Sequence, residues 1–572
     1  MKKHLLFSVA VLLMTCAVLA LAGTGKKKIS YEALPDESKP VTGGQLQYSV
    51  PPTPNITSLV GTSTSLSGFY DYQSNGGSIQ QIRVNPANGN IHTTFMLADD
   101  STAAGLNGAR RVGYAFSSNG GTSWNNFSNV RVPSRRAGFP TIDLLQGANA
   151  GCPVIANHST ITGTNSTIFV DSPEGTGAFS EITAPPLIDA GGADEPIWPY
   201  IAGTTDGSVV MAGSRSTAAT VHYTRTSDFT GWSPWTQMTG PTQSGGRYPV
   251  QSNGTGRVGI LANTSNGTAA LGNWWTESTN NGATWSAPVN LYPTRSAGAD
   301  TFNSYVHADF VYNGNTPLFV FSEYITDARP DANIVFWSQA SGFKIAVPWD
   351  SSKYFLDPVN QRFHGLQLGW PTIGMSGNTI VVAYQAFQPD TDRLAYHYSN
   401  LWYVSSNNGG STWSAPVRIT NTAQVDERYP SVSKWNASGR FDMVWTQKNA
   451  SGLFAFPGGA DTVRTTQMFL RTLLTDVNEG GGTVANSFKL TQNYPNPFNP
   501  ATKIDYTVGE AGPVSIKVYN TLGQEVATIL NERLERGSYQ VVFDGAKLAS
   551  GVYFYTMVAS GYTESRKMVL MK

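Results

Sequence analysis

Short stretches of alternating apolar and polar residues fill the chain from about residue 61 to residue 475. Alternation with a period of two predicts β-strands that bury one face. YPSVSKWNASGRFDMVWTQ (429–447) shows the pattern: an aromatic–Pro start, an alternating strand, a Gly turn and a second alternating strand. Turn sequences such as NGN, TDG and SGN join strands into pairs. Long runs rich in Ala, Leu, Glu and Lys are missing, so the pattern predicts an all-β chain.

This two-strand phrase recurs, with starts about 50 to 66 residues apart. Two further predicted strands bring each repeat unit to four strands. Four-stranded units that recur at this spacing are the sequence pattern of a β-propeller. We predict seven blades over residues 61–475, closed by a strand from SLSGFYDYQ (65–73). Six blades, or an array of β-sandwiches, are the alternatives. The other phrases are WPTIGMSGNTIVVAYQAF (370–387), YPVQSNGTGRVGILANTS (248–265), WPYIAGTTDGSVVMAGSR (198–215), FPTIDLLQGANAGCPVIANHS (139–159), SYVHADFVYNGNTPLFVFSEY (304–324) and IQQIRVNPANGNIHTTFML (79–97).

A second motif, Ser-x-Asn-x-Gly-x-Ser/Thr-Trp, occurs at residues 117–124, 278–285 and 406–413. It resembles the Asp-box, or BNR repeat, of sialidase-like β-propellers, in which Asp stands at the Asn position. The resemblance implies a turn between the third and fourth strands of a blade, away from the family's active face. Asn can make the same side-chain-to-backbone bonds as Asp. The expected structural residues are Ser117, Asn119, Gly121, Trp124, Ser278, Asn280, Gly282, Trp285, Ser406, Asn408, Gly410 and Trp413.

The N-terminus predicts export. Two lysines, an apolar run through Leu21 and the small residues around Ala22 are typical of a secretory signal peptide over residues 1–22. A membrane anchor is the alternative. Residues 23–60 lack clear periodicity and are interpreted as a leader or linker, so no membrane span is expected in the mature chain.

The C-terminus predicts a separate small module. After a polar, Gly-rich linker (476–486), strand patterns broken by Gly and Pro indicate an Ig-like β-sandwich over residues 487–572. The segments NYPNPFNP, VYNTLGQEV, LASGVYFY and KMVLMK resemble the type A C-terminal sorting domain of the type IX secretion system. The resemblance implies that the secretion machinery is a partner, and that the cargo is released or attached to the cell surface. An Ig-like accessory domain, for example one that binds carbohydrate, is the alternative.

Charge is scarce in this chain but recurs at equivalent positions. Charged residues are 13% of the sequence and the formal net charge is zero, which gives no case for nucleic acid as a partner. In a propeller, the segments that enter the innermost strands line one mouth of the channel. Aromatic residues beside them could stack on sugar rings, anchor a peptide or pack one blade against the next. The expected ligand-binding residues are Arg135, Arg136, Asp194, Glu195, Arg247, Asp300, His307, His364, Glu427 and Arg428, with the aromatic neighbours Trp198, Tyr248, Trp370 and Tyr429.

Catalysis is the less favoured interpretation. The sialidase resemblance implies three arginines, a Tyr–Glu nucleophile pair and an Asp acid/base, yet the text around Arg83 does not reproduce the family's arginine motif. His307, His364 and Asp300 lack tight metal-ligand spacing, so no metal or other cofactor is expected. The predicted function is binding of a glycan or a protein outside the cell. An exo-acting glycoside hydrolase and a structural or adhesive surface component are the alternatives.

Overall fold

The computed structural model divides the chain into two compact units, one ending at Leu473 and the other starting at Leu474. The predicted signal peptide (1–22), leader (23–60) and linker (476–486) lie outside the described residues. The structure describes residues 61–73, 80–102, 108–161, 163–189, 191–240, 248–264, 272–291, 295–297, 300–325, 329–349, 368–453, 462–474, 488–508, 512–534 and 537–571.

The first unit consists of short strands, as the alternation of apolar and polar residues predicts. A short 3₁₀ helix covers Gly147–Asn149. The strands are β1 (Thr62–Gly68), β2 (Ile82–Val84), β3 (Ile91–Ala98), β4 (Arg110–Ser117), β5 (Ala137–Leu144), β6 (Pro153–Ile161), β7 (Gly163–Asp171), β8 (Phe179–Glu181), β9 (Ile197–Gly203), β10 (Val209–Arg215), β11 (Thr220–Thr226), β12 (Thr236–Gln237), β13 (Val250–Ser252), β14 (Val258–Thr264), β15 (Gly272–Ser278), β16 (Val289–Asn290), β17 (Arg295–Ala297), β18 (Asp300–Asn313), β19 (Thr316–Ile325), β20 (Arg329–Ser338), β21 (Gly342–Val347), β22 (Leu368–Ser376), β23 (Thr379–Thr391), β24 (His397–Ser406), β25 (Val417–Arg418), β26 (Asp426–Val432), β27 (Trp435–Asn436), β28 (Arg440–Lys448) and β29 (Thr465–Leu473).

Within the described residues these strands form seven sheets that follow chain order. Sheet 1 holds β2 to β4, sheet 2 β5 to β8, sheet 3 β9 to β12, sheet 4 β13 to β16 and sheet 5 β17 to β21. Sheet 6 holds β22 to β25 with the short β27, and sheet 7 holds β26, β28, β29 and β1. Each sheet contacts the next, and sheet 7 contacts sheet 1 through β28 and β2. The first and last strands of the unit therefore pair in one sheet and close the series.

Side chains from the first strands of sheets 1, 2 and 4 meet in the interior of the unit. The Arg83 Nε atom of β2 lies 2.7 Å from Asp143 Oδ1 of β5, and the Arg83 guanidinium donates to Gln251 Oε1 of β13 at 2.8 Å. A second ion pair joins Lys434, which follows β26, to Asp309 of β18. Burial lowers the pKa of Lys434 to about 8, although Asp309 opposes the shift. All five side chains are buried, so polar groups fill the centre at this level.

The aromatic–Pro phrases form a repeated bulge in the first strands of sheets 2, 3, 6 and 7. At each bulge the strand pairing shifts its register. The aromatic residue itself has a positive φ, a conformation that costs a non-glycine residue about 1–3 kcal/mol and persists only where surrounding contacts enforce it. These residues are Phe139 (φ 51°), Trp198 (54°), Trp370 (47°) and Tyr429 (57°).

The second unit is built from two sheets that share one hydrophobic core. One sheet has the order β30-β31-β34 and the other β33-β32-β35-β36. Apolar residues from both sheets meet between them, including Ile504 of the first and Ile516 and Met557 of the second. The strands are β30 (Lys489–Leu490), β31 (Ala501–Val508), β32 (Gly512–Tyr519), β33 (Glu525–Leu534), β34 (Gly537–Asp544), β35 (Gly551–Ala559) and β36 (Tyr562–Leu570).

Candidate functional site

The three Ser-x-Asn-x-Gly-x-Ser/Thr-Trp segments form the same turn after the third strand of sheets 1, 4 and 6, and we call them the Asn-Gly-Trp turns. In the third copy, Ser406 Oγ donates to Asn408 Oδ1 at 2.9 Å and accepts from the N–H of Gly410 at 2.9 Å. Asn408 Oδ1 also accepts the N–H of Thr412 at 3.0 Å. The equivalent bonds in the copies at 117–124 and 278–285 measure 2.8–3.0 Å. The motif therefore encodes a local structure.

Each Asn-Gly-Trp turn also packs against the preceding sheet. The rings of Trp413 and Phe336 of sheet 5 are edge to face with centroids 5.2 Å apart, and Trp124 meets Phe469 of sheet 7 in the same way. A Cβ atom on Gly410 would lie 2.0 Å from Phe336. Glycine is therefore required there by space as well as by its positive φ. These turns hold neighbouring sheets together.

The opposite end of the sheets, where the first strands begin, is called the strand-start face. Here the bulge aromatics Phe139, Trp198, Trp370 and Tyr429 join Tyr248 in one hydrophobic cluster. Their exposed fractions lie between 0% and 7%. Trp198, Tyr248, Trp370 and Tyr429 were expected to stack on sugar rings, to anchor a peptide or to pack between sheets, and their burial supports packing.

The backbone N–H of each bulge aromatic donates to a side chain of the preceding sheet. This repeated bond explains how the positive φ is held. The acceptors are Met96 Sδ for Phe139 (3.2 Å), His158 Nδ1 for Trp198 (3.2 Å), His307 Nδ1 for Trp370 (3.3 Å) and Gln385 Oε1 for Tyr429 (3.0 Å).

Among the predicted site residues, Asp194 and Glu195 anchor the loop before β9. The buried Glu195 carboxylate accepts the backbone N–H groups of Ile188 and Asp189, each at 2.8 Å. Asp194 accepts two more backbone N–H groups, at 3.0 and 2.9 Å, from the turn at 217–218. Charge-assisted bonds of this kind fix a loop firmly.

Arg135 and Arg136 lie just before β5 and remain partly accessible. The Arg135 side chain is 33% exposed, donates to Glu181 Oε2 at 2.9 Å and reaches Ser159 Oγ at 3.0 Å. Arg136 is half-buried and close enough to His158 to influence its charge. Both residues are thus partly exposed, and the Arg135 side chain is more exposed than that of Asp194, which is 11% exposed.

Glu427 and Arg428 are the second and third residues of strand β26, and both are buried. Arg428 Nε lies 2.6 Å from Asp426 Oδ2, and Glu427 Oε2 accepts from Asn400 Nδ2 at 3.2 Å. Burial raises the pKa of Glu427 to about 7, against the hydrogen bonds that it accepts, and neighbouring Asp426 raises it further. A carboxyl group with this pKa is protonated in about half of the molecules at pH 7, and the protonated form can donate as well as accept.

Four predicted site residues remain. One is a buried histidine, and the side chains of the other three lie outside the described part of the structure. His307 is fully buried and anchors Trp370. Asp300 begins β18, but its side chain lies outside the described atoms, as do all of Arg247 and His364.

Sequence reasoning missed a buried cluster beside the predicted residues. Arg110, the first residue of β4, is fully buried, donates to Tyr70 Oη at 3.3 Å and lies 3.0 Å from His158 Nε2. Burial lowers the pKa of His158 well below its usual range, and the charges of Arg110 and Arg136 lower it further. No sequence pattern marked this cluster. In the structure Gly138 leaves space for it, because a Cβ atom there would lie 2.5 Å from Arg110 Nε.

Neither a metal site nor a membrane helix is found where the structure describes the chain. Within those ranges, no group of three or more His, Cys, Asp or Glu side chains could hold a metal ion. No helix of the described residues is both long and apolar enough to cross a membrane.

Comparison with known proteins identifies the second unit. A family model described as "Secretion system C-terminal sorting domain" matches residues 492–571. The chain thus carries a type IX sorting domain and is exported to the cell surface or the extracellular space. No curated protein matches the chain by sequence.

Several solved structures resemble part of the chain at low similarity. A protein of unknown function from Dyadobacter fermentans is 12% identical, with 57% of this chain and 94% of that chain covered and a TM-score of 0.38. An ulvan lyase bound to a GlcA–Rha3S saccharide is 10% identical, with 69% and 93% covered and a TM-score of 0.40. An α-L-arabinofuranosidase from Fusarium graminearum, in complex with an iminosugar inhibitor, is 12% identical, with 63% and 98% covered and a TM-score of 0.38. At these values the likenesses assign no activity to this chain.

Proposed function

We propose that residues 61–475 form a seven-bladed, sialidase-like β-propeller with Asp-box-like turns on one face and a ligand site on the other. The cyclic order of seven sheets, the pairing of β1 with β29 and the three equivalent turns support this proposal. The export module, residues 487–572, is proposed to be an Ig-like sandwich joined through the linker 476–486.

The proposed function is recognition of a glycan outside the cell, with a surface protein as the alternative ligand. The observation that carries it is the meeting of five strand starts in one buried aromatic cluster. Their preceding loops are thereby held around a common centre. Loops on a rigid scaffold are where binding residues concentrate.

The described side chains fall into two proposed roles on this face. Arg135 and Arg136 contact the ligand, because they are partly exposed and carry directional donors that suit carboxylates and hydroxyl groups. The buried, bonded groups Glu195, Glu427 and Arg428 position the loops and strand starts, as do Asp194 and His307. Arg247, Asp300 and His364 remain proposed ligand contacts from the sequence.

Glycan binding by the mature protein tests this proposal. A glycan array identifies the saccharide, and titration compares the parent with the Arg135→Ala/Arg136→Ala variant. We expect about ten-fold weaker binding with unchanged thermal unfolding. Arg257→Ala is the matched control, because Arg257 is also 33% exposed in an ion pair, with Glu277, but adjoins the turn at the other end of sheet 4. An array without any bound glycan, or equal affinity in the double variant, would reject the glycan site.

A glycoside hydrolase is the second candidate, and the raised pKa of Glu427 is the observation that favours it. A carboxyl group protonated near neutral pH matches the requirement for a general acid. Release of a chromogenic glycoside that is lost in Glu427→Gln would support this candidate. Lack of turnover across a panel of glycosides would leave binding as the function.

A further inference from the structure

The export module exposes apolar side chains on one face of its four-stranded sheet. In β35, residues 553, 555 and 557 face the core. Val552 and Phe554 point the other way and are 36% and 38% exposed. A strand face directed at solvent ordinarily carries polar residues. Two large apolar residues in succession on that face therefore require an explanation.

Neighbouring strands extend these residues into a patch. Tyr519 of β32 pairs with Phe554, and Val569 of β36 pairs with Val552. Leu522 follows Tyr519 in the turn at the same end of the sheet and is 81% exposed. We call these five residues the apolar patch. Exposed apolar groups gathered at one place on a soluble domain mark a surface that binds another molecule.

The surroundings of the apolar patch are polar and carry both signs of charge, because Glu525 of β33 pairs with Tyr519 and bonds to Lys517 at 2.9 Å. Farther along β35, Thr556 pairs with Lys517 of β32 and with Ser565 of β36. Lys567 pairs with Phe554 and is exposed at the rim of the patch. A partner that covers the patch would meet apolar groups at its centre and, at its edge, Lys567 and the Lys517–Glu525 ion pair. Charge complementarity therefore favours a partner surface that is apolar at its centre and has an acidic group opposite Lys567.

We propose that the apolar patch docks the module onto a protein of the type IX export machinery, on an apolar surface with an acidic group that meets Lys567. The module is a sorting domain, so recognition by that machinery is the interaction its role requires. The patch provides the exposed apolar area that such recognition needs. It lies at the end of the sheet where β36 ends. This inference does not depend on the ligand of the propeller.

The test is export of the full chain, with its signal peptide, in a bacterium that has a type IX system. We expect Val552→Ser/Phe554→Ser to reduce the exported protein about ten-fold, with the chain retained in the periplasm. Val558→Ser is the matched control, because Val558 lies on the same face of β35 and is 48% exposed, but outside the patch. Lys567→Glu should also lower export, because it reverses the charge beside Phe554 at the rim of the patch.

Folding and self-association are measured in parallel. Equal resistance to limited proteolysis in the parent and variant chains would show that the module remains folded. Normal export of Val552→Ser/Phe554→Ser overturns the proposal, and so does an equal loss in Val558→Ser. If the variant is exported normally while the parent alone is dimeric by light scattering, the patch joins two copies of this chain instead.

Discussion

The Asn-Gly-Trp turns and the strand-start face occupy opposite ends of the same sheets and are built differently. Each turn uses bonds among residues two to four positions apart, and the three copies share one geometry. The strand-start face uses bonds between sheets, such as the Trp198 N–H to His158 Nδ1. The turns repeat one set of hydrogen bonds, whereas the strand-start face has different acceptors and different charged residues from sheet to sheet. This difference favours structure at the first end and ligand recognition at the second.

The largest expected effect comes from filling the space between a turn and the preceding sheet. Gly410→Ala should lower the free energy of unfolding by about 3 kcal/mol or more, because its Cβ would overlap Phe336 at a positive φ. Gly409→Ala is the matched control. Gly409 also has a positive φ, but nothing lies within 4 Å of its Cβ position. Urea unfolding of both variants makes the comparison, and equal losses would contradict the packing role.

A smaller effect is expected from the buried carboxyl at the strand-start face. Glu427 has a pKa of about 7 in the folded protein, against an ordinary value of 4.5. The folded state therefore holds this proton more tightly, and its contribution to stability, fully present below about pH 4.5, is lost as the pH rises through 7. Relative to Glu427→Gln, the parent should lose about 3 kcal/mol of unfolding free energy across this range.

Unfolding curves of the parent and Glu427→Gln between pH 4 and pH 8 measure that difference. The two stabilities should diverge as the pH rises, because the amide does not titrate. Parallel pH dependence in the two proteins would show that Glu427 titrates normally.

The smallest expected effect lies within one turn. Asn408→Ala removes an acceptor for Ser406 Oγ and for the N–H of Thr412, which should lower stability by about 1–2 kcal/mol. Asn408→Asp keeps both acceptors, so its stability should stay within about 0.5 kcal/mol of the parent. Thermal unfolding separates the two substitutions, and a large loss in Asn408→Asp would contradict the equivalence of Asn and Asp in this turn.

The sequence was sufficient where the structure is local. The strands follow from alternation, but β3, β5, β22 and β26 are buried at every residue, whereas alternation predicts burial of one face only. The turn bonds of Ser406, Asn408 and Gly410 follow from residue type and spacing. The candidate site was harder, because charge alone does not reveal which side chains are bonded inside the protein. Glu195 and Glu427 were chosen by position in the repeat, and the structure places both as buried, bonded groups.

Long-range pairs account for much of what was missed. Lys448 forms a buried ion pair with Asp71, 377 residues away in the sequence. Arg110 of β4 contacts His158 of β6 and Tyr70, which follows β1, so the contacts need three different sheets to be in place. No local pattern marks such partners, because they share neither an element nor a motif.

Hydrogen–deuterium exchange of the mature protein, with and without the saccharide found on the array, shows at which end of the sheets the ligand binds. We expect slower exchange in residues 134–138 and 186–197 at the strand-start face, with the three Asn-Gly-Trp turns unchanged. Protection confined to those turns, with none at the strand-start face, would contradict this expectation.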